Sequence, residues 1–486
     1  MTRSRSAVLV GVSLLVLVPS ACVLNAAPPD APAALVSFPA AGQPGGASVQ
    51  PLSAFSDSRY TSFGKGSGHE AFSSPALGNV TSRGAGQELV IGGMDGSVRV
   101  FSHEGALLGR YFAAEGSIEA SPVLVDLFGD GHVEIVVATI PPAGSASNGL
   151  GHVVVFDGEG NRLFDQAAGG ASVNGFFGTP AVGDIDNDGV PEIVEGGWNQ
   201  YLYAWHLDGS LVSGFPVFLY DTMWSSPTLA DINGDGYLEI IIGGDMDGSN
   251  RASTVFGLPE GGLLWVIPHD GMTHAVPTAN GLEPHSFYPG YPKYVPGQVV
   301  WSSPSVSDID GDGMLDIVVG TGLNWGDGRG SRVYAWNADG TNKVGFPAAT
   351  GDAVMASPAI GELDPAQAGY EIAVIAQDGV VTVFSAGGKR LWAQCNMDDR
   401  TSCKQGRGHH GTVSIADVNG DGVQEVVSPA EHWLRIFDGR TGSLRADVVL
   451  EGGTWVPVAG PLIAAEPDGT ARIYVAATLN AVNDGV

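Results

Sequence analysis

At 486 residues, 44% of them apolar, the chain is long enough to bury a large core. Its 72 Gly and 30 Pro, with only 15% charged residues, point to many turns joining short strands rather than to helices. A formal charge of −30 argues against nucleic acid as a partner, because phosphates need Lys and Arg.

The chain opens on an export signal. Arg3 and Arg5 precede the apolar run Ala7–Val18, which is too short to span a bilayer and right for a signal's hydrophobic region. Pro19-Ser-Ala-Cys22 resembles a bacterial lipoprotein box, with Pro19 in place of the usual Leu. Residues 1–22 are therefore read as signal, with membrane attachment through a lipidated Cys22 as one outcome. Cleavage near Ala26-Ala27, releasing a soluble protein, is the other. Either way the protein is expected outside the cytoplasm, at the cell surface or outer membrane, or secreted. Residues 23–70, rich in Ala, Pro, Ser and Gly, read as a linker. Within it, Leu52–Phe63 is apolar enough to add a strand to a neighbouring element.

From residue 71 to 486 the chain repeats. Units begin at Ser74-Pro75, Ser121-Pro122, Thr179-Pro180, Ser226-Pro227, Ser303-Pro304, Ser357-Pro358, the Pro-less Thr412-Val413, and Gly460-Pro461. Each start leads into a loop, usually acidic, and then a strand such as Glu88–Gly93 or Glu239–Gly244. Third strands follow, among them Val98–Phe101, Tyr201–Trp205 and Leu434–Phe437. An Asp-Gly turn, as at Asp157-Gly158, Asp208-Gly209 and Asp339-Gly340, leads to a fourth. Four strands per unit of about 50 residues predict an all-β fold, a β-propeller of four-stranded blades. Eight starts favour eight blades, with N-terminal residues completing the last; seven blades plus an extension is the alternative.

Four of the acidic loops share one nine-residue pattern. Oxygen-bearing side chains occupy positions 1, 3, 5 and 9, and glycine occupies position 6. Calcium takes six to eight oxygens at about 2.3–2.6 Å and tolerates irregular geometry. The ligands would be Asp184, Asp186, Asp188, the Val190 carbonyl and Glu192 in unit three. Unit four offers Asp231, Asn233, Asp235, the Tyr237 carbonyl and Glu239. Unit five offers Asp308, Asp310, Asp312, the Met314 carbonyl and Asp316. Unit seven offers Asp417, Asn419, Asp421, the Val423 carbonyl and Glu425. These are metal sites rather than EF-hands, because the last ligand falls at position 9 and the flanks are β. About four calcium ions are expected, in a structural role. The four loops hold fourteen carboxylates, so four divalent ions would still leave the surface acidic. Unit two keeps Asp126, Asp130 and Glu134 but carries Phe128 at position 3; units one and six have lost the pattern.

The text Thr-Pro-Ala-Val-Gly-Asp-Ile-Asp-Asn-Asp-Gly-Val-Pro-Glu-Ile-Val, at 179–194, and its copies resemble FG-GAP/VCBS repeats, which build the integrin α-subunit propeller and many bacterial surface proteins. The resemblance covers about residues 71–480. It implies a propeller with calcium between the first and second strands of a blade, and no particular ligand.

The unshared parts are the candidates for specificity. Cys395 and Cys403 flank a short loop and read as a local disulfide in an exported protein; a metal pair with His409 and His410 is the rival reading. An insertion at His269–Gln298 carries Tyr288, Tyr291 and Tyr294, suited either to lining a sugar or peptide site or to a Pro-stiffened surface flap. Trp198, Trp224, Trp301 and Trp325 sit near strand ends and read mostly as packing between blades. No nucleophile elbow, His-Glu-x-x-His or phosphate loop occurs. Phe437–Leu444 resembles a quinoprotein hairpin but occurs once, and reads as an ordinary turn. The expected function is a monomeric, exported binding or adhesion module for a glycan or protein ligand. A calcium-dependent polysaccharide lyase or a quinoprotein-like oxidoreductase is the alternative.

Overall fold

Glu-led apolar pentads such as Glu88–Gly92 and Glu239–Gly243 form strands buried along their whole length. Side chains alternate across a strand, so a continuous apolar run must be covered on both faces. In the computed structural model both covers are neighbouring sheets. Val90 packs with Ile135 and Val137 of the second sheet, while Leu89 and Ile91 pack with Tyr474 and Ala476 of the last. The structure describes most of residues 73–479, with two strands at 33–37 and 50–54. The rest, including 142–148, 247–258, 273–287, 323–330, 404–410 and 480–486, lies outside the described residues.

Seven antiparallel sheets of four sequential strands follow one another. Blade 3 is representative, with strands Ala181–Gly183, Glu192–Gly196, Tyr201–Trp205 and Val217–Phe218. The eighth sheet is built from both ends of the chain. Leu462–Ala465 and Ala471–Leu479 supply its inner strands. Ala33–Ser37 pairs antiparallel with Ala471–Leu479, placing Leu35 opposite Tyr474, and Gln50–Ala54 pairs with Ala33–Ser37. The segment read from the sequence as a linker therefore contributes two strands. Apolar clusters fill the interfaces in turn from blades 1 and 2 round to blades 8 and 1. The molecule is an eight-bladed propeller.

The Ser-Pro and Thr-Pro starts work as a clasp around the axis. Backbone N–H groups of Ser74, Ser121, Thr179 and Ser226 donate to the hydroxyls of Ser121, Thr179, Ser226 and Ser303, each in the next blade, at 2.8–3.0 Å. Gly460 N–H donates to Ser74 Oγ at 3.1 Å, which closes the circle between the last blade and the first. We expect Ser226→Ala to leave the buried Thr179 N–H without its acceptor and to cost about 1–3 kcal/mol, read by urea unfolding. Ser226→Thr, which keeps the hydroxyl, should cost much less.

First strands of successive blades neighbour one another, so they line the axis. Strand alternation then sorts the connections onto two faces. The acidic loops and Asp-Gly hairpins lie on one. The blade starts, the turns between second and third strands, and the connections between blades lie on the other. The second strands Glu134–Ala138, Glu239–Gly243 and Asp316–Thr321 end at this second face. The loop closed by the Cys395–Cys403 disulfide, whose Cα atoms are 5.7 Å apart, leaves from this face too. Buried Arg435 holds that loop to blade 7, donating to Asn396 Oδ1 at 3.2 Å and the Met397 carbonyl at 2.9 Å. His409, His410 and Trp325 lie outside the described residues.

The insertion at 269–298 resolves partly into scaffold. Lys293–Pro296 is the fourth strand of blade 4. Tyr291 is buried between blades 4 and 5 and donates its hydroxyl to the Asn337 carbonyl at 3.1 Å. Tyr294 donates to the Pro259 carbonyl at 2.9 Å. Tyr288 packs against Tyr291 in the same cluster, so all three tyrosines offered for a ligand site are engaged within the protein, because an aromatic ring is worth more in a blade interface than in water. No helix among the described residues is long and apolar enough to cross a membrane.

Candidate metal centres and the opposite face

Each acidic loop is folded by its own carboxylates. In blade 3, Asp184 accepts the N–H groups of Asp188 and Gly189 at 3.0 and 2.9 Å, and Asp188 accepts that of Val190 at 2.8 Å. Glu192 reaches back from the outgoing strand to the N–H of Ile185 at 3.0 Å. The same bonds recur from Asp231, Asp308 and Asp417. Positions 4 and 6 take left-handed backbone, which is why glycine fills position 6 and Gly234, Gly311 and Gly420 fill position 4. Asn187, at φ 63°, is the tolerated substitute in blade 3. Val190 and Met314 turn their side chains outward, about half exposed.

The loop fold does not require the full ligand set. In blade 2 Asp126 accepts from Asp130 and Gly131, and Glu134 from Leu127, although Phe128 at position 3 brings no oxygen. In blades 1 and 6 the loop is one residue longer, and the carboxylate heading the second strand keeps the same bond, Glu88 accepting from Val80 and Glu371 from Leu363, both at 2.8 Å. That carboxylate is therefore a brace between the second strand and the loop before it. The signal was a Glu or Asp heading the second strand in all seven of these blades, including those without a metal pattern.

The partners of the position-9 carboxylate differ from loop to loop. Ligand atoms of Asp184, Asp186 and Asp188 lie within 4.8 Å of one another, as do those of Asp186, Glu192 and His206. His206 Nδ1 sits 3.2 Å from Glu192 Oε1. In blades 4 and 7, Asn233 and Asn419 donate to Glu239 and Glu425 at 3.1 and 2.8 Å. Burial, then the neighbouring aspartates against a backbone hydrogen bond, pushes both Glu239 and Glu425 up to about 7. Such groups carry excess negative charge in little water, and the donors beside them are hard oxygens, joined in blade 3 by the His206 nitrogen. That set fits calcium at blades 3, 4 and 7.

The fifth loop differs from that expectation. Lys343, 5% exposed, places its ammonium 2.8 Å from Asp310, 2.7 Å from Asp316 and 4.0 Å from Asp312. Burial alone would lower the Lys343 pKa; hydrogen bonds to Asp310 and Asp316 outweigh it and raise it.

On the opposite face a cavity of about 640 Å³ opens beside blade 3. Trp198, Tyr201 and Tyr203 line it with Asn174, Asn199 and Gln200. Asn199 Nδ2 donates to Tyr203 Oη at 2.6 Å and the Gly169 carbonyl at 2.7 Å. The indole N–H of Trp198 is buried without a partner among the described residues. Gln200, at φ 72°, holds the turn that presents Tyr201, which is 36% exposed. Inward of the cavity, Trp198 and Trp224 stack with Phe177 and Trp301 near the axis. Phe177, Trp224, Trp301 and Met355 each stand two residues before a Ser/Thr-Pro start, so this cluster is a product of the repeat.

Among solved structures the chain is similar to BamB from Moraxella catarrhalis at 11% identity and TM-score 0.49, covering 84% of this chain and 95% of that one. It is similar to rhamnogalacturonan lyase YesW at 15% identity and TM-score 0.48, covering 85% and 73%. The V. cholerae biofilm matrix protein Bap1 overlaps at 14% identity and TM-score 0.37, covering 95% and 89%. At those scores the overlaps carry no functional argument, and the fold rests on the pairing described above. No curated relative matches the chain. Family models match at residues 126–195, as an FG-GAP-like repeat, and at 223–267, as an FG-GAP repeat. Those segments hold the acidic loops of blades 2, 3 and 4 in register with their strands, and this part of the chain is built of FG-GAP repeats.

Proposed function

We propose that the chain is an exported, calcium-binding propeller that acts as a non-enzymatic binding or adhesion module, and that it meets a glycan on the face opposite the acidic loops. The observation that carries this reading is the cavity beside blade 3. Its aromatic rings suit the apolar faces of sugar rings, and its amides suit hydroxyls. None of the named lining residues is a carboxylate or histidine, so the lining is made for contact rather than proton transfer. Calcium serves the scaffold in this reading, because the acidic loops lie at the far end of the blades from the cavity. An oxidising compartment is supported by the disulfide and by the signal sequence, with Cys22 as the point of lipid attachment if it is processed there.

Glycan-array binding tests this. Tyr201→Ala, at a half-exposed ring, should weaken binding at least tenfold, or about 1.4 kcal/mol, with little change in melting temperature. A folded protein that binds no glycan, or binds one equally well without Tyr201 and Asn199, would remove the site.

A further inference from the structure

We infer that Lys343 is the resident cation of the fifth acidic loop, so that the propeller takes calcium in blades 3, 4 and 7 and an ammonium of its own in blade 5. This rests on the calcium reading of the other loops and narrows it.

The hairpins of blades 3 and 5 superimpose in sequence and in backbone bonding. Trp205-His-Leu-Asp-Gly-Ser-Leu-Val212 matches Trp336-Asn-Ala-Asp-Gly-Thr-Asn-Lys343, and both continue to Gly-Phe-Pro. Val212 N–H donates to the Ala204 carbonyl at 2.9 Å, and Lys343 N–H to the Ala335 carbonyl at the same distance. One backbone position thus delivers an aliphatic side chain to the core in blade 3 and a charged one in blade 5. The Val212 side chain leaves the blade 3 carboxylates to one another and to His206. The Lys343 stem instead carries its ammonium to two of the fifth loop's expected calcium ligands, Asp310 and Asp316, with Asp312 behind.

Calcium would need oxygens of these same carboxylates at about 2.3–2.6 Å. The ammonium already holds Asp310 and Asp316 at hydrogen-bond distance, and Asp316 is fully buried. A divalent ion there would sit within a few ångströms of a buried positive charge, with little water to screen the repulsion. Lys343 is itself only 5% exposed. The two cations are therefore alternatives, and the one attached to the chain is always present at its site.

Metal counting on the full chain tests this, by equilibrium dialysis against calcium chloride followed by elemental analysis. Asp188→Ala in blade 3 should remove one ion per chain, and Asp312→Ala in blade 5 should remove none. Lys343→Met, which keeps the stem and removes the charge, should gain one ion and a larger calcium-dependent rise in melting temperature. Loss of an ion in Asp312→Ala, or a folded Lys343→Met with no added ion, would overturn the assignment. If Lys343→Met fails to fold, the Asp312→Ala count decides alone. A parent chain holding no calcium would end the calcium reading as a whole, whereas one holding an ion in blade 5 would end only this assignment.

Discussion

Stripping calcium from the protein should lower its melting temperature, and by more at pH 8 than at pH 5. The reason lies in Glu239 and Glu425, both buried and both held at about 7 when no cation neutralises them. Their folded-state pKa lies above the unfolded value near 4.5, so the folded, metal-free chain binds more protons than the unfolded one. That contribution to stability is complete below pH 4.5 and is lost as the pH rises through 7. Each carboxyl accounts for a loss on the order of 3 kcal/mol across that window. Calcium takes over the proton's role, since it binds the ionised groups and competes with protons for them. Linkage adds about 2.7 kcal/mol per site at a hundredfold excess over Kd. Together these predict a chelator-induced drop on the order of 10 °C at pH 8 and a much smaller one at pH 5. Melting curves in calcium and in chelator at the two pH values check this; a drop independent of pH would reject the role given to these two carboxylates.

Deleting residues 23–54 should be still more damaging than losing the metal. Strands Ala33–Ser37 and Gln50–Ala54 form the outer half of blade 8, and Ala33–Ser37 is the partner that covers the long strand Ala471–Leu479. Without them that strand becomes an edge, with unpaired backbone groups beside the apolar contacts that Ile473, Tyr474 and Val475 make with blades 7 and 1. The ring would then be held shut by the inner strands and the Gly460–Ser74 bond alone. We expect a loss of at least several kcal/mol and concentration-dependent aggregation through the open edge. Deletion of residues 23–32, which leaves both strands, is the control and should melt like the parent. A chain lacking 23–54 that stays monomeric with an unchanged melting temperature would show that these strands do not close the propeller.

The local pattern carried much of this. Alternating and continuous apolar runs mark the strands, Ser/Thr-Pro marks the blade starts, and Asp-x-Asp-x-Asp-Gly marks tight loops, because each depends on residues within a few positions of one another. The same logic explains the misses. The Ser226 hydroxyl was legible as punctuation but not as the acceptor for Thr179, which is 47 residues away. Tyr291 looked like a surface aromatic because its spacing with Tyr288 and Tyr294 is loop-like, yet its partner is the Asn337 carbonyl in the next blade. The cavity beside blade 3 joins Trp198–Tyr203 to Asn174 from the preceding connection, which no spacing rule would bring together.

Four loops with the same spelling were read as four equal cages. The sequence by itself determined that each would fold around its first aspartate, since that aspartate needs only backbone N–H groups four and five residues on. What enters the cage from outside was decided by tertiary structure. Lys343 stands 27 residues from Asp316 and meets it because the third strand returns beside the second. His206 meets Glu192 by the same route. A loop's shape is set by its own chain, while its charge balance is set by whichever side chain the adjoining hairpin delivers, and only the folded blade brings the two together.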